Sequence, residues 1–368
     1  MPRIALHWRG IRSQLLSYLG LAPFLAFALF PFYWGLITSL KADANLYDLK
    51  ANPFWFSPVD RTTGKPYHKD IILPASLSEG PIKWRIGIGA HTTRSDSEQT
   101  PEAIALVGDT EVVSPVDGTL SEIRVADGQI AHANDIIGVI QVRSPTLTHY
   151  RYLTSTSFYS WMRVSLLTGL AVVVITLLLS VPAAYGLARL SFPGNRTIGI
   201  AIFLTYLIPS TILFIPFSQL VAALKIDNTI WSLILTYPTF TVPFCTWLLM
   251  GFFRAVPKEI EERALLDGAT RLQTLRLVVI PVVLPGILTA AIFAFTLSFQ
   301  EYVYGLTFIS STVKRTLPVG ITVDMVRGDV YFWGPLMASA IIGSIPVVIL
   351  YALSLDRFIS GMTTGAVK

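Results

Sequence analysis

The chain has a single cysteine, Cys245, and that one lies inside an apolar run. Neither a disulfide framework nor a cysteine metal site can be assembled within it. Its five histidines, His7, His68, His91, His132 and His149, show no metal-ligand spacing and read as solvated side chains. A phosphate-binding loop is missing too, because the only Gly-Lys pair, Gly64-Lys65, is followed by Pro66 and lacks the glycine spacing such a loop needs. Charge is scarce: 14% of the residues are charged, against roughly 25% in soluble domains. Hydrophobic residues fill the gap, at 52%. A water-soluble fold of 368 residues could not hide that much apolar surface.

Apolar runs mark about six spans, near 15–40, 163–188, 197–223, 228–253, 283–309 and 334–356. Each is as long as the roughly 18–20 residues that cross a bilayer. The first follows Arg3, Arg9 and Arg12, as a secretory signal does, but Phe30-Pro-Phe-Tyr-Trp-Gly-Leu-Ile37 carries it well past the length of a signal core. It therefore reads as an uncleaved span. With the amino terminus inside, the short inner loops and the termini receive 12 Lys and Arg and the short outer loops 5, which puts both termini in the cytoplasm. The segment from Lys41 to Ser160 then lies outside, with 11 basic and 14 acidic residues, so the chain's net +5 resolves into +8 on the membrane part and −3 on this block. The basic excess is a topology signal and not a nucleic-acid footprint, since no basic stripe with interleaved aromatics accompanies it.

Within the outer block, Glu111 to Val142 alternates short β-branched stretches with the turn signals Asp117-Gly118, Asp127-Gly128 and Asn134-Asp135. It resembles the first half of a biotinyl/lipoyl-type β domain. No lysine occurs between Lys83 and Lys225, so the attachment chemistry of such domains is missing and only a small β domain carries over. Pro58 to Gly108 has few apolar runs and reads as strands or loose chain. The block serves either as a contact for another protein, outside or in the membrane, or as a passive spacer.

The most informative stretch runs from Val256 to Pro281. Pro257 suits a first helical turn, and Glu259, Glu261 and Glu262 sit there, where the helix dipole favours negative charge. Gly268 stands where a helix would stop in a left-handed turn, and apolar periodicity resumes at Leu272, Leu275 and Leu277 until Pro281. This predicts a short helix, a glycine turn and a second helix between two spans, with Ile260, Ala264 and Leu265 as the apolar contact face. An ordinary charged loop is the plainer reading of the same residues.

Glu262-Arg263-Ala264, then Gly268, then Val278-Val-Ile-Pro281 resembles the cytoplasmic E-A-A, G, I-x-L-P motif of permeases in binding-protein-dependent ABC importers. Arg263, Val278 and Ile280 depart from that pattern without moving the glycine or the proline. Ser39-Leu-Lys41, Pro145-Thr-Leu-Thr-His-Tyr150, Ala183-Ala-Tyr-Gly-Leu-Ala-Arg189, Ser298-Phe-Gln-Glu-Tyr302 and Arg315-Thr-Leu-Pro-Val-Gly320 are similar to the sugar-importing branch and its maltose-type second permease. The resemblance covers all but about 58–144. It implies an all-α polytopic membrane protein of the ABC type I importer permease fold with an inserted extracytoplasmic small β domain. The expected parts are a tail, first helix and linker (1–57), the β-rich insert (58–144) and the core permease (145–368) with its coupling loop at 254–282.

The resemblance further implies a heterodimeric pore made with a second permease subunit, two cytoplasmic ATPase subunits and an external solute-binding protein, in a bacterial or archaeal cytoplasmic (inner) membrane. The chain would be no enzyme and hold no cofactor; ATP and Mg would sit on the partner subunits. The ATPase would grip Glu262, Arg263, Ala264, Leu265, Asp267 and Gly268. Gln300, Glu301, Tyr302 and Tyr304 are the candidates for the solute path, since ionisable groups at membrane depth are costly and face a cavity or the bundle interior. Amide, carboxylate and aromatic faces together suit a sugar, polyol or glycoside. Glu301 reads equally well as a structural anchor. The alternatives are an ion-coupled secondary transporter, which would repeat buried charges in two similar halves, and a membrane enzyme, which would need a convergent nucleophile, base and stabiliser or a metal set. Neither pattern is visible.

Overall fold

A computed structural model describes residues 2–42, 46, 52–56, 68–75, 79–92, 103–115, 118–142 and 145–366, with side chains at 18 and from 20 to 354. The side chains of Arg3, Arg9, Arg12, Arg357 and Lys368, which entered the charge argument, lie outside the described residues, as do Gly64-Lys65 and Asp117. Two compact units divide the chain: residues 1–156 with 325–342, and residues 157–324 with 343–368.

In the first unit, α1 (Pro2–Leu40) precedes eight strands and the short helix α2 (Thr148–Ser155). The strands β1 (His68–Ile72), β2 (Gly80–Trp84), β3 (His91–Thr92), β4 (Ala103–Val107), β5 (Thr110–Val113), β6 (Gly118–Ile123), β7 (Ile130–Ala131) and β8 (Ile136–Val142) form two four-stranded sheets, ordered β1-β8-β6-β3 and β5-β4-β2-β7. All described pairings are antiparallel. Inward residues such as Ile71, Ile82, Ile104, Leu120, Ile137 and Ile140 share one core. Partners for β6, β7 and β8 come from residues before Glu111, so the stretch with few apolar runs supplies strands to both sheets. The turns follow from side-chain chemistry: Gly128 (φ 80°) and Asn134 (φ 67°) take left-handed conformations. Beside them, Asp127 Oδ1 accepts from the Trp84 N–H (2.8 Å) and Asp135 Oδ2 from the His132 N–H (2.8 Å).

The second unit is helical. It contains α3 (Phe158–Arg189), α4 (Asn195–Tyr206), α5 (Ser210–Ala223), α6 (Ile230–Thr236), α7 (Pro238–Ala255), α8 (Lys258–Leu266), α9 (Arg271–Gln273), a π-helical segment (Thr274–Val279), α10 (Ile280–Phe299) and α11 (Val303–Phe308). The chain continues through α12 (Leu317–Met325), a hairpin of β9 (Val326–Arg327) and β10 (Val330–Tyr331), and α13 (Trp333–Ala366). Among the described residues, five helical stretches are long and apolar enough to cross a membrane, and α4 with α5 makes a sixth only as a pair bent by 91°. Pro209, extended at ψ 117° and without an N–H, sets that break where the sequence predicts one continuous span over 197–223.

The packing of α3 inverts the soluble pattern. Ser165, Thr168, Gly169, Val172, Thr176, Ser180 and Ala184 recur at helical spacing and are buried, while Leu167, Leu170, Val174 and Leu178 on the other faces are more than half exposed. Small and hydroxylated residues let helices approach closely where lipid replaces water as the outer solvent. Thr176 and Thr241 share a hydroxyl hydrogen bond of 2.6 Å across α3 and α7. Gly320 of α12 lies against the Trp161 ring of α3, so a methyl there would fall inside the ring. Gly320→Ala is expected to cost about 1–3 kcal/mol of stability by overpacking, measurable as a lowered unfolding temperature in detergent, with Gly186→Ala, where the added methyl meets only open space, as the neutral control.

Candidate functional site: a helical knob and its buried anchor

The knob is built from local rules. Helix α8 starts after Pro257, carries Glu259 and Glu261 in its first turn and ends at Leu266, with Asp267 as its C-cap. Gly268 (φ 86°) then donates its N–H to Leu265 O (3.1 Å), and Ala269 donates to Ala264 O (3.0 Å). These two bonds are the Schellman arrangement that closes a helix on a left-handed residue. It gives both Ala264 and Gly268 a structural reason, since they stand at two ends of one motif. Thr270 opens the next helix with a reciprocal capping box: Gln273 N donates to Thr270 Oγ1 (3.3 Å) and Thr270 N to Gln273 Oε1 (2.8 Å).

The expected second helix does not stop at Pro281. Helix α9, the π-helical segment and α10 run continuously from Arg271 to Phe299. A proline inside an α-helix clashes with the carbonyl four residues back, and the wider π turns just before Pro281 relieve that conflict.

The faces of α8 differ from the expected contact face. Glu261, Ala264 and Leu265, spaced three and four apart, face inward: Glu261 is buried and the other two half-buried. Glu262, Arg263, Asp267 and Gly268 are exposed, together with Ile260 and Leu266, and Leu266 is 87% exposed. Leu265 is half-buried on the Glu261 side of the helix, and Leu266 is the more exposed apolar group.

Glu261, which lies just before the Glu262-Arg263-Ala264 pattern and is not marked by it, anchors the knob. Its Oε1 pairs with Arg189 Nε at 2.6 Å, with both side chains at most 7% exposed, and its Oε2 accepts from the Tyr185 hydroxyl at 3.2 Å. Arg189 also donates to the carbonyl of Val256, the residue before Pro257. The last turn of α3 is thereby bonded to both the entry and the first turn of α8. The signal was present in Ala183–Arg189, whose Tyr185 and Arg189 stand at helical spacing, but nothing in the sequence names their partner.

The path candidates separate into two kinds. The sequence places Gln300 and Glu301 inside a helix, whereas α10 ends at Phe299 and a new helix begins at Val303. Glu301 holds that break: Oε1 accepts from Tyr304 N (2.9 Å), and Oε2 accepts from Gly305 N (3.1 Å) and from the Tyr237 hydroxyl (2.8 Å). A carboxylate is favoured at a helix amino terminus, which accounts for the break. Tyr304 is buried, and its hydroxyl donates to Ser210 O (2.9 Å). Gln300 is exposed and Tyr302 half-buried. Glu301→Ala is expected to cost about 1.5–3 kcal/mol, because the buried Tyr237 hydroxyl loses a charged acceptor; Glu301→Gln should recover part of this in the same thermal unfolding assay.

In the first unit, two separate stretches of the sugar-branch likeness meet. Ser39 Oγ and Tyr150 Oη lie 2.7 Å apart, Thr146 N donates to Leu40 O (2.8 Å), and His149 Nε2 sits 2.7 Å from Lys41 O. The chain therefore leaves for the β sheets and returns to one place. Lys41 Nζ donates to Asn52 O (2.7 Å) and Pro53 O (2.9 Å), and burial lowers its pKa. No group of three or more metal-ligating side chains occurs among the described residues.

Residues 165–364 match the family described as binding-protein-dependent transport system inner membrane component. The chain is 35% identical over 227 residues to the inner membrane ABC transporter permease protein YcjP of Escherichia coli, a match spanning 61% of this chain and 80% of that protein. It is 30% identical over 233 residues (62% and 84%) to the trehalose/maltose transport system permease protein MalG of Thermococcus litoralis, and 33% identical over 239 residues (64% and 86%) to the diacetylchitobiose uptake system permease protein DasC of Streptomyces coelicolor. Its fold is similar to that in a crystal structure of a bacterial ABC transporter involved in the import of the acidic polysaccharide alginate, with TM-score 0.58 and 17% identity over 97% of this chain and 99% of that one. A membrane-spanning helical unit, a knob closed by a glycine and this match over more than half its length lead to one conclusion: the chain belongs to the inner membrane components of binding-protein-dependent transport systems and is a permease subunit of an ABC importer.

Proposed function

We propose that the chain is one half of a heterodimeric pore for a carbohydrate (a sugar, polyol or glycoside), driven by two cytoplasmic ATPase subunits and fed by an external solute-binding protein. The observation that carries this reading is the outward face of α8, with Glu262, Arg263, Leu266, Asp267 and the left-handed Gly268 presented on a helix whose inner face is fixed by the Glu261–Arg189 pair. A motor needs such a handle: apolar and charged groups to hold, and a stiff connection to a span. The ATPase grips the outer face, and its motion reaches α3 through Arg189. Both termini are cytoplasmic in this reading, and the β sheets are an insert in the external segment.

Relatives named for trehalose/maltose and diacetylchitobiose transport support a carbohydrate cargo. Gln300 and Tyr302 are the groups assigned to the solute, while Glu301 and Tyr304 hold the helix break that positions them. The β insert is assigned contact with the external binding protein or the second permease. Uptake of labelled di- and oligosaccharides into proteoliposomes holding the assembled importer tests this. Uptake should require internal ATP and the external binding protein and be indifferent to the collapse of ion gradients. Uptake by this chain alone under a proton or sodium gradient would establish an ion-coupled carrier instead.

A further inference from the structure

An open cleft of about 1070 Å³ lies between the α3–α4 connection and α7. Its polar lining includes Ser191, Arg196 and Arg254, and its apolar wall includes Phe203, Trp247 and Met250. A second, smaller cleft of about 510 Å³ shares Trp247, Met250 and Arg254 and is otherwise apolar, lined by Leu248, Phe252 and their neighbours. Arg196 and Arg254 are exposed and form no ion pair with a carboxylate among the described residues. Trp247 is 49% exposed and stacks obliquely on Phe203, with ring centroids 5.2 Å apart. None of these residues belongs to the outward face of α8 or to the helix break at Glu301.

Two exposed arginines lining a cleft whose other walls include tryptophan, phenylalanine and methionine ask for a ligand with a phosphate at one end and hydrocarbon beyond it. Arginine pairs with phosphate oxygens through its planar fork, and tryptophan prefers the level of lipid headgroups. We propose that this pair of clefts binds an anionic phospholipid of the cytoplasmic leaflet, its phosphodiester between Arg196 and Arg254 and an acyl chain along Trp247 into the smaller apolar cleft. The proposal rests on the cytoplasmic assignment of the α3–α4 and α7–α8 connections. Free phosphate would use the arginines but has no use for the apolar walls, which is why the lipid is favoured over the ion. The site lies beside the entry to α8, so an occupied cleft braces the end of α7 from which the knob projects.

The test is native mass spectrometry of the assembled importer, purified with its ATPase, second permease and this full chain, and exchanged into nanodiscs or detergent with defined phosphatidylglycerol or phosphatidylcholine. Wild type should retain phosphatidylglycerol over phosphatidylcholine, and Arg196→Gln with Arg254→Gln should lower that discrimination roughly tenfold or more, since each basic side chain near an anionic surface is worth about a fivefold factor. Arg196→Lys with Arg254→Lys, which keeps the charge but loses the fork, should fall between wild type and the Gln variant, and Trp247→Ala should weaken retention of both lipids. Equal discrimination in the Gln variant, displacement of the lipid by millimolar inorganic phosphate, or a cleft left without lipid once the ATPase is bound would each overturn the proposal. Ser191→Cys provides the check on sidedness, because the native Cys245 is buried. Labelling from the outer face only would overturn the orientation and the lipid site together, whereas cytoplasmic labelling with no lipid discrimination would overturn the lipid site alone.

Discussion

Replacing Gly268 by valine is expected to reduce ATP-driven uptake at least tenfold while leaving membrane insertion intact. The effect is confined to the backbone. Gly268 sits at φ 86°, and a Cβ added there meets nothing within 4 Å, so no steric contact with the rest of the protein enters. What the valine does meet is its own carbonyl: left-handed geometry costs an L-residue about 1–2 kcal/mol, and more when it is β-branched. Escaping that strain opens the Schellman bonds from Gly268 to Leu265 and from Ala269 to Ala264, and the outward face of α8 is no longer presented at a fixed angle. A graded series follows. Gly268→Asn, which tolerates the left-handed region, should keep most transport, Gly268→Ala should be intermediate, and Gly268→Val should be lowest. Uptake and ATP hydrolysis measured side by side in proteoliposomes check the order. Full uptake by the valine variant would remove the knob from the mechanism.

The second large effect concerns the anchor. Glu261→Ala leaves the Arg189 guanidinium buried with only Val256 O as its partner, and removes the acceptor of the Tyr185 hydroxyl. Breaking one partner of a buried ion pair costs about 3–5 kcal/mol, because the remaining charge is uncompensated. Arg189→Met alone should be comparably harmful. The double variant, Glu261→Ala with Arg189→Met, removes both charges and should recover most of the loss. Thermal unfolding of the four proteins completes a double-mutant cycle. A stable double variant that still fails to transport would show that the pair carries motion from the knob to α3 as well as stability. Additive losses in the cycle would mean that the two residues act separately.

Much of this architecture is written in local patterns. Runs of apolar residues announce the spans, and Gly268 is legible because few side chains other than hydrogen accept its φ. The turns at Asp127-Gly128 and Asn134-Asp135 are legible for the same reason. What escapes is decided by partners far away in the chain. Tyr185 and Glu261 are 76 residues apart, and only packing brings them together. The end of α10 at Phe299 is equally hidden, since Gln300 and Glu301 have ordinary helix propensity. The break is set by Tyr237 on α6–α7 and by the amides of Tyr304 and Gly305, which all claim the Glu301 carboxylate. Leu265 is half-buried and Leu266 exposed because one step along a nine-residue helix turns a side chain by about 100°, which periodicity over so short a helix does not resolve.

In the proposed function a motor subunit holds the outward face of α8. Affinity purification of the tagged full-length chain from its own membranes in mild detergent, with mass spectrometry of what accompanies it, tests this directly when wild type is compared with Leu266→Asp. Leu266 is 87% exposed, so the substitution disturbs the knob's surface and not its fold. An ATPase subunit and a second membrane-spanning permease should accompany wild type, and the variant should keep the permease and lose the ATPase. Recovery of the ATPase in full with Leu266→Asp, or of the wild-type chain alone under conditions that preserve a known importer, would contradict it.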